Sequence, residues 1–231
     1  FGLVLLILVM IFGIKVNGAK RWLSLGFTRI QPSEIMKIAM PLVMAWYFHH
    51  FENRRWFTKY LGALLILLVP SALIAKQPDL GTAILVFSAG FYVIFLAGLS
   101  WWVIGGLTAV AMAVAPFAWH FLHDYQQKRI LTLIDPTSDP LGSGYHIIQS
   151  TIAIGSGGII GKGFMTGTQG QLEFIPEKHT DFIFAVFAEE WGLIGNILLV
   201  VLYGFLIERG LRIALRASTT FNRLLAGAIT M

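Results

Sequence analysis

IPEKHTDFIFAVFAEEWGLIGNILLVVLYGFLI, residues 175–207, carries both facts that decide the fold. From Phe182 to Ile207 it is a near-apolar run. That is long enough to cross roughly 30 Å of hydrocarbon, which takes about 20 helical residues at about 1.5 Å each. Against the mouth of the run stand Glu177, Lys178, His179 and Asp181, and inside it lie Glu189 and Glu190. Charge at membrane depth costs about 2.5–3.5 kcal/mol per residue on insertion scales, so it marks a working site by default. Asp181 is the first candidate for chemistry.

Outward from this run the pattern repeats. Near-apolar stretches cover 1–14, 34–51, 60–75, 80–98 and 102–121. Of 231 residues 56% are hydrophobic and 13% charged, about half the charge of a soluble domain. None of the runs alternates as a barrel strand does. The fold class is therefore all-α, a polytopic transmembrane helical bundle. The 60–75 run is short and should be tilted, or broken near Pro70. One membrane domain is expected over 1–231, with 122–181 as a long outer loop. Both ends read as cut: Phe1 lies inside an apolar segment and another begins at Leu224. With no cysteine, disulfides and thiolate metal sites are ruled out. The net charge of +5 reflects cytoplasmic Lys and Arg better than nucleic-acid binding.

Helix alternation puts 52–59 and 208–222 on one side. The first reads ENRRWFTK, and the second carries Arg209, Arg212 and Arg216 with Arg223 at its edge, so this side is the cytoplasm. Segments 15–33, 76–79 and 122–181 then face outward. The first of these resists, because it holds Lys15, Lys20, Arg21 and Arg29. Either the bias tolerates an exception or these cations are kept to hold an anion, with Trp22, Leu23, Leu25 and Phe27 laying the segment along the interface.

Three helix starts gather on the outer face: Gln31-Pro32-Ser33-Glu34, Gln77-Pro78-Asp79 and His179-Thr180-Asp181. Proline and acid in a first turn are ordinary start signals. Together, however, the three N-termini present free N–H groups suited to phosphate. Arg29 precedes the second span and Lys37 lies one turn inside it, which makes a cationic pocket with Asp79 and Asp181 at its edge. Such a pocket suits a pyrophosphate-bearing substrate and a base.

GSGGIIGKGFMTGTQG, residues 155–170, fails as a phosphate loop, since Ser156 stands where glycine is required and Gly163 follows Lys162. Its glycines fit tight turns and close helix approach. His49, His50, His120, His123 and His146 have no zinc spacing. Glu189 and Glu190 either orient their helix through partners or face a wet cavity.

NGAKRWLSLGFTRIQPSEIMK, KQPDLGT, DPLGSGYHIIQSTIAIGSGGIIGKG and GTQGQLEFIPEKHTDFIFAVFAEEWG, in that order, resemble the SEDS family of shape, elongation, division and sporulation proteins. QLEFIPEKHTDFIF is closer to the rod-shape branch than to the division branch. The resemblance implies about ten transmembrane helices, of which this would be an internal part. It implies a peptidoglycan glycosyltransferase that polymerises lipid II into nascent glycan outside the bacterial cytoplasmic membrane, beside a class B penicillin-binding protein. It further implies that Asp181 of HTDF is essential, and it matches Arg29, Gln31 and Lys37 to the R-x-Q-P-x-E-x-x-K pattern and Asp79 to QPD. Asp79 could instead hold Lys37 in place or bind a divalent cation, Mg or Mn; no cofactor is otherwise implied. A lipid II flippase and a non-catalytic scaffold for a transpeptidase are the rival readings.

Overall fold

In chain order the computed structural model forms α1 (Gly2–Phe12), β1 (Ile14–Val16), β2 (Ala19–Ser24), β3 (Arg29–Ile30), α2 (Pro32–His50), α3 (Trp56–Lys76), α4 (Leu80–Leu96) and α5 (Trp101–Trp119). It continues as α6 (Asp124–Ile134), a 3-10 turn (Pro136–Ser138), α7 (Ser143–Ser156), α8 (Thr168–Gln171), α9 (Ile183–Arg216) and α10 (Thr220–Ile229). Residues 1–16, 19–24, 26, 29–122, 124–140, 142–171 and 180–230 are described. Every apolar run of the sequence has become a helix, and the protein is a polytopic membrane helical bundle. Lipid is the solvent that fits α9: Leu198, Val200, Leu202, Phe205 and Leu206, which point all round it, are each more than half exposed.

The chain divides into two compact units, Phe1–Ile104 with Leu206–Met231, and Gly105–Phe205. In the first unit Met36, Met40, Met44 and Phe48 recur every four residues along α2 and are buried. This spacing puts them on one helix face, against Leu67 of α3 and Val86 and Val93 of α4. Gly90 of α4 lets the three helices close, because a Cβ there would lie 2.8 Å from Met40 Cγ and against Leu67. In lipid such packing gains from dispersion rather than from excluding water.

Two expectations are corrected here. The run at 60–75 is neither short nor interrupted, since α3 extends over 56–76 with Pro70 buried inside it. Twenty-one residues span about 31 Å, and Ser71 Oγ donates to Leu67 O at 2.8 Å beside the bond that proline omits. Segment 15–33 is not a plain loop either. It holds a three-stranded antiparallel sheet in the order β1-β2-β3, pairing Ile14 with Trp22 and Ser24 with Arg29. Its residues alternate faces, so Lys20, Trp22 and Ser24 leave one side free for Arg21 and Leu23. Leu25 and Phe27 lie outside the described residues.

In the second unit, segment 122–181 carries helices α6, α7 and α8. Asp135 caps the 3-10 turn, accepting from Thr137 N at 3.0 Å, and Lys128 pairs with Asp139 at 3.1 Å. Helix α9 breaks at Gly192, where φ is 62° and ψ −159°.

Candidate functional site

Two of the three helix starts meet in the first unit. Gln31 is the extended residue before α2, and Pro32 occupies its first turn, where the missing N–H costs nothing. Gln31 Nε2 donates to Ser33 Oγ at 3.0 Å and to Asp79 Oδ2 at 3.2 Å. Asp79 caps α4 by accepting from Thr82 N at 3.3 Å. The Arg21 guanidinium, delivered by β2, lies 3.9 Å from Asp79 Oδ1 and donates to the carbonyls of Gln77 and Pro78. Gln77 in turn is buried and donates to Leu6 O at 3.1 Å, which ties α1 to the same corner.

Gln31 and Asp79 are therefore brought together, and the helix starts of α2 and α4 lie side by side with their positive ends at one place. Arg29 sits exposed at the end of β3, without an ion pair among the described residues. Lys37 is a third exposed and pairs with Glu34 one turn earlier at 2.7 Å. The option that Asp79 holds Lys37 is corrected, for the cation on Asp79 is Arg21. The sequence showed Arg21 only as one of several loop cations; which one reaches a carboxylate depends on the register of β2.

Asp181 belongs to the second unit. It lies exposed in the turn at 180–182 that leads into α9. Glu177, Lys178 and His179 lie outside the described residues. The ring of Phe182, the next residue, stands 6.0 Å from the ring of His146 on α7. His146 Nδ1 is buried and unpartnered among the described residues. A ring nitrogen in that state beside the start of α9 is a donor or acceptor available to a ligand, and nothing in its sequence context distinguished it.

Among the described residues of this unit the buried charge is Glu189, fully enclosed. Its Oε1 is 2.7 Å from Lys162 Nζ and 3.1 Å from both Thr168 Oγ1 and Gln169 N, with Ser156 Oγ at 3.4 Å. Around it the backbone of 158–163 is spliced into the break in α9. Lys162 N and Gly163 N each donate at 3.0 Å to the carbonyls of Glu189 and Glu190, which in an unbroken helix would serve Leu193 and Ile194. Those two N–H groups donate instead to Gly158 O at 2.9 Å and Ile159 O at 3.1 Å. These four backbone groups at the break are thus satisfied, as a joint that buries Glu189 requires. Contact this close needs glycine: a Cβ on Gly157 would strike Ala188 O, and one on Gly161 would strike Glu190 O. The reading of this stretch as close-packing glycines holds, and Glu189 orients its helix through partners.

Among the described residues no three His, Asp or Glu side chains gather as metal ligands.

A family model described as cell cycle protein, covering FtsW, RodA and SpoVE, matches residues 1–231. The chain is 55% identical over 234 residues to the peptidoglycan glycosyltransferase MrdB of Escherichia coli K12, covering 99% of this chain and 62% of that protein. It is 41% identical over 238 residues to the probable peptidoglycan glycosyltransferase FtsW of Trichlorobacter lovleyi, covering 99% of this chain and 61% of that one. It thus spans about three fifths of the length of the curated relatives it matches. Among solved structures it matches a peptidoglycan synthase complex described for its coordination of polymerization and crosslinking, with TM-score 0.77 and 38% identity over 99% of this chain and 63% of that one. The rod shape determining protein RodA of Thermus thermophilus matches with TM-score 0.62 and 29% identity, over 99% of this chain and 58% of that one.

Proposed function

The chain belongs to the cell cycle protein family of FtsW, RodA and SpoVE, and from that premise we propose that it is the glycan-polymerising part of a peptidoglycan glycosyltransferase. Its substrate is lipid II, and the working face is the outer face of the cytoplasmic membrane. The observation that carries this reading is the joining of the α2 and α4 starts through Gln31 and Asp79, with Arg29 exposed beside them. Two helix N-termini and a free guanidinium suit the pyrophosphate of a lipid-linked sugar.

In the reaction Asp181 takes the proton of the acceptor sugar's 4-hydroxyl. That oxygen attacks the anomeric carbon of the donor strand, and the bond from this carbon to the α-linked pyrophosphate breaks. Its electron pair leaves with the pyrophosphate, giving a β-1,4 link with inversion. A glycosidase protonates a poor leaving group with a second carboxyl. Pyrophosphate leaves as a stabilised anion, so Arg29 and Lys37 can replace that acid electrostatically, a role often worth about 2.7–4 kcal/mol per donor. Lys37 is held by Glu34 only in a partly solvated pair at 2.7 Å, weak enough for a phosphate to displace. Asp79 tethers Gln31 and Arg21 rather than meeting substrate first, and no step here requires Mg or Mn on it. The partner is a class B penicillin-binding protein that cross-links the product, a role in keeping with the synthase complex to which this chain is similar.

The break in α9 favours a second reading as a lipid II flippase, since transporters use discontinuous helices. Against it, the freed backbone groups are answered by residues 158–163 instead of lining a path. Full-length protein incubated with purified lipid II separates the two. The Asp181→Asn variant should keep the wild-type thermal transition and make no glycan, and Arg29→Ala should weaken donor use. Substantial polymerisation by Asp181→Asn would overturn the catalytic assignment. Unimpaired movement of labelled lipid II across vesicles by that variant, with no polymerisation by wild type, would favour the flippase.

A further inference from the structure

At the other end of the first unit, α9 and α10 turn back on each other through 217–219 and border an open cleft of about 620 Å³. Its two walls differ in chemistry. Arg209, Arg212 and Arg216 line it from α9, at the i, i+3, i+7 spacing that puts them on one face. Asn222, Leu225 and Ile229 line it from α10 at the same spacing, polar at the turn and apolar deeper in. Arg212 pairs with Glu208, one turn back on α9. Arg209 and Arg216 have no carboxylate partner among the described residues, so the cleft keeps a surplus of positive charge.

We propose that this cleft binds an anionic phospholipid, its phosphate between Arg209 and Arg216 and the start of an acyl chain along Leu225 and Ile229. A guanidinium presents paired donors that match phosphate oxygens, and it is less strongly hydrated than an ammonium. A soluble anion would use the arginines and leave the apolar wall idle, whereas a lipid uses both. The location fits as well. The cleft lies where the apolar run of α9 ends in arginines, the level at which basic pockets between membrane helices take lipid headgroups. The site is at the opposite ends of the helices from the pyrophosphate pocket, and its test does not depend on the transferase reading.

Full-length protein in detergent is titrated with phosphatidylglycerol, phosphatidylcholine or glycerol phosphate. The readouts are the thermal transition and retained lipid counted by native mass spectrometry. Phosphatidylglycerol should raise the transition and be retained, and the other two should do neither. The double variant Arg209→Gln/Arg216→Gln should weaken phosphatidylglycerol binding about tenfold or more, from the loss of two basic contacts. Arg54→Gln/Arg55→Gln, which removes the same charge from the 52–59 segment, should bind as wild type. Leu225→Asn leaves the charge untouched and should also weaken retention. An equal response to phosphatidylcholine overturns the proposal, as does equal damage from the Arg54/Arg55 pair. A shift with glycerol phosphate alone would assign the cleft to soluble anions and overturn it too. Unchanged binding by Arg209→Gln/Arg216→Gln, with its lipid-free transition intact, would do the same.

Discussion

Asp79 shows how much a single carboxylate can organise. It is only 8% exposed, yet it caps α4, anchors Gln31 from α2 and faces Arg21 from β2. Removing the cap costs about 0.5–2 kcal/mol, and Gln31, part-buried and still bonded to Ser33, loses one hydrogen bond worth about 0.5–1.5 kcal/mol. Asp79→Ala should therefore lose about 2 kcal/mol or more in thermal unfolding of the purified protein. Asp79→Asn keeps an acceptor oxygen and should lose clearly less. Arg21→Ala should lose least, because its ion pair is long and partly solvated, a class worth about 0–1 kcal/mol. A loss for Arg21→Ala equal to that of Asp79→Ala would mean that the guanidinium, and not the cap, holds the corner. Sequence marked Asp79 as a helix-start acid and Gln31 as its counterpart on α2, and both sit there. It could not choose among four basic residues in 15–33, because side-chain reach depends on strand register and strands of two to six residues carry little periodic signal.

At the scale of elements, the docking of 158–163 onto broken α9 depends on which glycines touch backbone. Gly155 and Gly157 are two residues apart, but a Cβ on Gly155 meets nothing within 4 Å while one on Gly157 strikes Ala188 O. Gly155→Ala should thus be neutral or stabilising, by up to about 1 kcal/mol from helix propensity. Gly157→Ala has to push two backbones apart and should lower the thermal transition markedly. If both behave alike, the close approach is not what holds these elements together. The buried pair inside the joint gives a second prediction. Lys162→Met strands the fully enclosed Glu189, and breaking a buried pair on one side costs about 3–5 kcal/mol. Replacing both, as Lys162→Met/Glu189→Leu, should recover much of that loss in a double-variant cycle. Sequence presented Glu189 and Glu190 as two equal charges in an apolar run. It could not say that only the first is enclosed, because the break at Gly192 and the partner loop together decide which face is covered. A glycine inside an apolar helix pattern is an ambiguous sign: Gly192 breaks α9, whereas Gly204 lies within the same helix without a break.

At the scale of the whole molecule the helical membrane character was legible from hydropathy alone, since lipid admits few alternatives to helices. Starts were read better than interiors: Gln31, Asp79 and Thr180-Asp181 each stand where a helix begins, but Pro70 did not interrupt α3. What alternation and charge leave in conflict is the sidedness of segment 15–33, which holds four cations and no acid yet lies one span away from the basic segment 52–59. The two demands can be separated experimentally: these 231 residues hold no cysteine, so each one introduced here reports alone once any cysteine outside them is replaced. Lys20, Arg54, Ser138 and Ser218 are all exposed. Helix α2, about 28 Å long over its 19 residues, separates Lys20 from Arg54. In intact cells a membrane-impermeant maleimide should label Lys20→Cys and Ser138→Cys directly. It should reach Arg54→Cys and Ser218→Cys only after the cells are opened. Labelling of Lys20→Cys only in opened cells, with Ser138→Cys still reached from outside, would put the basic sheet in the cytoplasm. The α2 and α4 starts would then be on the wrong side of the membrane for an outward pyrophosphate site, and Arg29 and Lys37 would lose their proposed role whatever Asp181 does.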